Sequence, residues 1–97
     1  MTPSAKSSLA LAALRDEMSA LDAALIELLT RRMDIARRIG AEKRRAGLAV
    51  LDPRREAQVV ASVARHARQA GLPEESVRDI FWPVVAMCRR AQQDDGT

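Results

Sequence analysis

The chain has little of what usually staples a small protein or gives it reactive chemistry. Its single cysteine, Cys88, excludes an internal disulfide, and with one histidine, His66, it excludes a zinc site built on soft ligands. There is one Phe, one Trp and no Tyr. Leu, Ile, Val and Phe together make 22 of 97 residues, just above the roughly one-fifth below which chains tend to stay disordered. The apolar stretch Leu9 to Leu14 is too short for a signal-peptide core and runs straight into Arg15-Asp16-Glu17. With no targeting or membrane segment and no cysteine pair, the cytoplasm is the expected compartment. The glycines at 40, 47, 71 and 96 are too scattered for a phosphate-cradling loop. His66 sits in a run that reads as a solvated face, and Cys88 has no adjacent base, so nucleophilic catalysis is not expected.

What is present is alanine, arginine and a helical beat. Eighteen alanines raise the apolar fraction to 47%, but each contributes little buried area. Fourteen of the 16 cations are Arg, and the net charge is +3. Arginine suits planar, bidentate contact with carboxylate or phosphate, so an anionic partner is expected beside the plainer reading of a solvated surface. Leu11, Leu14, Met18, Leu21, Leu25, Leu28, Ile35 and Ile39 alternate in steps of three and four, the heptad form. The fold class is therefore all-α, with three helices, one long and two shorter, in a single domain. The first helix spans about residues 8–45. The second opens at Asp52-Pro53, a cap followed by proline in the first turn, and runs to about 70, where Gly71 stops it. Its inner face is Val59, Val60, Val63 and Ala67. The third spans about 74–93, with Val77, Ile80, Phe81, Val84 and Cys88 inward and Pro83 inside it as an expected kink.

The long helix bears on assembly. Its length is roughly 57 Å at 1.5 Å per residue, against a diameter of roughly 30–35 Å for a compact monomer of this size. Its apolar face therefore needs a cover, and a second copy supplies one as an intertwined helical homodimer. A helix broken at Gly40 within a monomeric bundle is the alternative.

Arg32 occupies a heptad position that calls for an apolar residue, and Lys43 follows eleven positions later, roughly 20° away around the helix. Both cations face inward, so they meet acids, such as Glu56, or bind an anionic ligand. Arg15 is about 25 Å from Arg32 along the axis and cannot share a small ligand with it on one straight helix. Across an antiparallel dimer it can reach the other chain's site. Arg55 and Glu56 open the second helix, and Cys88 and Gln92 share one face of the third.

The run LxALRxExxALDxxLIxLLxRRMxIAxxIGxxK, then VLDPxRE, then FWxVVxxCxxxQ, resembles the all-α class of chorismate mutases over roughly residues 9 to 92. The resemblance implies an intertwined dimer that converts chorismate to prephenate with no metal or cofactor. It is similar to the small, monofunctional members. By that likeness Arg15 from the partner chain and Arg32 grip the substrate carboxylates, and Lys43 and Gln92 face the ether oxygen. Arg55 assists a carboxylate, Asp52 and Glu56 hold the ring hydroxyl, and Cys88 stands where many members carry a small hydroxyl residue. Isochorismate pyruvate lyases and aminodeoxychorismate mutases share the scaffold and much of the cation set. A nucleic-acid-binding helical dimer is the distant alternative. The interspersed acids and scarce aromatics speak against it, so neither nucleic acid nor membrane is an expected partner.

Overall fold

The computed structural model describes residues 5–93. Three helices account for the regular structure: α1 Ala5–Arg45, α2 Pro53–Gln69 and α3 Glu74–Gln93. None of them is long and apolar enough to cross a membrane. The chain divides into two compact units, one up to Arg31 and one from Arg32 onward. α1 contributes to both and runs through Gly40 without a break.

In the first unit the described chain is α1 alone. Its stripe of Leu11, Leu14, Met18, Leu21, Leu25 and Leu28 follows the heptad beat, and each of these side chains is between 48% and 62% exposed. A row of large apolar groups half open to water is costly, since each forgoes roughly half of the about 1.5–3 kcal/mol that full burial gives. Ile35 and Ile39, which continue the stripe in the second unit, are exposed as well.

The second unit joins the end of α1 to α2 and α3. Asp52 caps α2 by accepting the Arg55 backbone N–H at 3.1 Å, and Pro53 takes the first helical position, where no N–H is needed. Both α1 and α2 end in the same way. Gly47 and Gly71 adopt positive φ, and the next residues, Leu48 and Leu72, donate back to the carbonyls of Lys43 and Ala67 at 2.8 Å. These are glycine-terminated Schellman ends, which satisfy carbonyls the helix leaves open.

The core is built from small side chains: Ala36, Val60, Ala64, Ala67, Val85, Cys88 and Ala91. Small residues let helix backbones come close. Gly40 is the extreme case, because a Cβ there would lie 2.6 Å from the Gln92 carbonyl oxygen. Two details differ from the sequence pattern. Ile80 is 60% exposed rather than inward, and Val85 takes the buried place on α3. The buried line passes through Val85, Cys88 and Ala91 at helical spacing, which leaves Ile80 off it. Pro83 does not end the helix. It and Asp79, whose carbonyl loses its intrahelical partner, are both exposed, so water can take that acceptor.

Candidate active site

A cleft of about 420 Å³ opens in the second unit between the end of α1, the start of α2 and the last turns of α3. Its apolar wall includes Ile35, Ile39, Val59 and Val85. Its polar groups are Arg32, Lys43, Asp52, Arg55, Glu56 and Gln92, with Cys88 also in the lining. Seven of the eight residues singled out from the sequence thus meet in one depression. The eighth, Arg15, lies on the exposed surface of the first unit.

The two inward cations have neutral partners. Lys43 Nζ donates to the Val50 carbonyl at 2.9 Å and to Gln92 Oε1 at 3.1 Å. An ammonium has three N–H groups, so one is left over. Because Gln92 turns its oxygen to Lys43, its NH₂ is the end left to donate elsewhere. Arg32 Nη1 donates to Cys88 Sγ at 2.9 Å, and the Cys88 thiol in turn donates to Met33 Sδ at 3.9 Å. A thiol is a weak acceptor, and most of the guanidinium fork remains unspent. Among the described residues neither Arg32 nor Lys43 forms a salt bridge.

The acid expected to neutralise them is committed elsewhere. Glu56 is held by Arg89 of α3 in a two-pronged pair, Nε to Oε2 at 2.8 Å and Nη2 to Oε1 at 2.9 Å. The hydrogen bond that Arg89 donates to Glu56, and then the charge of that carboxylate, raise the Arg89 pKa above the ordinary arginine value. The alternative in which Glu56 pairs with Arg32 or Lys43 is thereby replaced. Glu56 sits in the first turn of α2, within reach of Arg89 from α3.

Arg89 was not among the residues singled out from the sequence. It is 33 positions from Glu56 on another helix, so no periodicity connects the two. Gly40 and Arg44 were missed as well. Gly40 permits the backbone contact at Gln92, and Arg44 Nη1 donates to the Gln92 carbonyl at 2.7 Å. Together they tie the last turn of α3 down. Cys88, which has no sequence neighbour of use, acquires Arg32 as a partner only through the packing of α3 on α1.

The cleft brings together two cations without acid partners among the described residues, an amide donor beside one of them, and a pair of carboxylates at the start of α2, a set whose chemistry suits an anion. A statistical model of the chorismate mutase type II family matches residues 14–93. The chain belongs to the chorismate mutase type II family. It is 34% identical over 86 residues to the T-protein of Enterobacter agglomerans, covering 89% of this chain and 23% of that protein. It is 34% identical over 82 residues to 4-amino-4-deoxychorismate mutase of Streptomyces pristinaespiralis, covering 84% of this chain and 64% of that one. The protein of the same name from Streptomyces venezuelae is 35% identical over 77 residues, with 78% and 75% covered. The chain therefore spans less than a quarter of the T-protein and just under two-thirds of the first of these mutases. The recognition made from the sequence motifs and the all-α fold agree with this family.

Proposed function

We propose that the protein converts chorismate to prephenate as a homodimer, in a concerted rearrangement in which one C–O bond breaks as one C–C bond forms. The observation that carries this reading is the pair Arg32 and Lys43, inward cations with no acid partner among the described residues, in a chain of the chorismate mutase type II family.

The chemistry asks little of a protein except geometry and charge. No group is transferred to the enzyme and no proton need move. A dianion has to be held folded, with its reacting carbons close. The free prongs of Arg32 suit one carboxylate, and Arg15 of a second copy suits the other. As the C–O bond breaks, negative charge grows on the ether oxygen. The third N–H of Lys43 and the NH₂ of Gln92 are the donors left to meet it, and such an interaction strengthens on the way to the transition state. Arg55 assists a carboxylate at the mouth of the cleft. Asp52 and Glu56, one turn apart at the start of α2, hold the ring hydroxyl, which has one proton to donate. Cys88 acts by fixing Arg32.

Two relatives bear the name 4-amino-4-deoxychorismate mutase, so the amino analogue is the second substrate to test. The pairing of Glu56 with Arg89 favours the hydroxyl compound, because it cancels a charge that would otherwise attract an ammonium. The direct experiment follows loss of chorismate by absorbance with purified protein and identifies the product. Isochorismate and the amino analogue are run in parallel. Prephenate formation from chorismate is the expected result, and unchanged chorismate overturns the reading.

A further inference from the structure

Arg89 does not line the cleft. It reaches Glu56 from α3, with about a third of its side chain exposed, while Glu56 is 17% exposed and does line the cleft. Both carboxylate oxygens of Glu56 are engaged by the guanidinium, so the carboxylate plane is held and its charge is matched. One lone pair on each oxygen remains for a donor in the cleft. Asp52, one turn away, is different: its Oδ1 accepts a backbone N–H, and among the described residues no cation forms a salt bridge with it.

Resting on the function proposed above, we propose that Arg89 is a specificity-determining positioning residue that sets the preference for a ring hydroxyl over a ring ammonium at Glu56. The physical argument is one of charge. A hydroxyl needs only a well-aimed acceptor, which the Arg89 clamp provides. An ammonium gains most where acids are unpaired, and Arg89 cancels one of the two available at this end of the cleft. Discrimination between two donors of similar size is achieved by removing attraction for the wrong one as much as by adding it for the right one. Without Arg89 the start of α2 would present two unmatched carboxylates, Asp52 and Glu56. It would then suit a 4-amino substrate, and Glu56 would lose its fixed aim at a hydroxyl.

The test compares kcat/KM for chorismate and for 4-amino-4-deoxychorismate in the parent protein, in Arg89→Met and in Arg89→Lys. Where the amino compound is not turned over, its inhibition constant is compared with the KM for chorismate, and neither depends on the amount of active enzyme. The ratio of the two values cancels the concentration of active enzyme, so partial misfolding of a variant does not move it. Arg89→Met is expected to shift the ratio toward the amino compound by about tenfold, the change that about 1.4 kcal/mol of differential interaction produces. Arg89→Lys keeps the charge and loses the fork. It should hold the ratio near the parent value while lowering kcat for chorismate. An equal fall for both substrates in Arg89→Met, or an unmoved ratio, overturns the proposal and leaves the mutase reading intact. A parent protein inert towards chorismate overturns both.

Discussion

At the scale of single residues, the cleft leaves donors unspent. Lys43 gives two of its three N–H groups to the Val50 carbonyl and Gln92 Oε1, and the same bond orients the Gln92 amide. Arg32 rests on the Cys88 sulfur, an acceptor weak enough to be outcompeted by a carboxylate. Both cations are held in place without being neutralised. Replacing Lys43 or Arg32 by Ala is therefore expected to remove most turnover, on the order of 3–4 kcal/mol of transition-state stabilisation. Helicity by circular dichroism should be retained in both variants. Near-parental rates in either would show that the substrate binds elsewhere.

At the scale of the element, three glycines act in two ways. Gly47 and Gly71 are backbone devices: with φ of 71° and 77° they end α1 and α2, and there is open space where a Cβ would go. Gly40 is a packing device, with the backbone of Gln92 occupying the volume of its absent side chain. The two kinds of substitution should separate cleanly. Gly71→Ala strains a turn far from the cleft, so it should cost about 1 kcal/mol in denaturant unfolding and leave kcat unchanged. Gly40→Ala must push α3 away at the residue that carries a proposed donor. It should cost about 1–3 kcal/mol of overpacking and also lower kcat through Gln92. Parental kcat for Gly40→Ala would mean that the position of Gln92 is not critical.

At the scale of the whole molecule, the exposed stripe on α1 is the largest unsatisfied feature. Six large apolar side chains from Leu11 to Leu28, each about half open, are what a partner helix would cover. In the proposed dimer each site takes Arg15 from the other chain. Sedimentation should find a dimer, and Leu21→Asp with Leu25→Asp should weaken it and abolish activity together. A sharper test mixes two inactive variants, Arg15→Ala and Lys43→Ala, and allows subunits to exchange. A mixed dimer then has one intact site, so about a quarter of parental activity should return at statistical exchange. No recovery would place Arg15 outside the site or within its own chain's site.

Much of this is legible in the sequence alone. The apolar spacing from Leu11 to Ile39 dictates a long helix, because only a period near 3.6 puts those residues on one face. Asp52-Pro53 and Gly71 mark the bounds of α2 through backbone chemistry local to each position. The inward turn of Arg32 and Lys43 follows from the same wheel. Other features were settled only by how helices distant in sequence pack. Arg89, rather than Arg32 or Lys43, pairs with Glu56, because α3 brings a guanidinium beside the first turn of α2. Gly40 matters because Gln92 lies against it, and Ile80 faces water because the buried line of α3 runs through Val85. Periodicity reports which way a side chain points on its own helix. Which partner it meets depends on the approach of a second helix, and that approach is decided by the summed fit of many small contacts rather than by any motif.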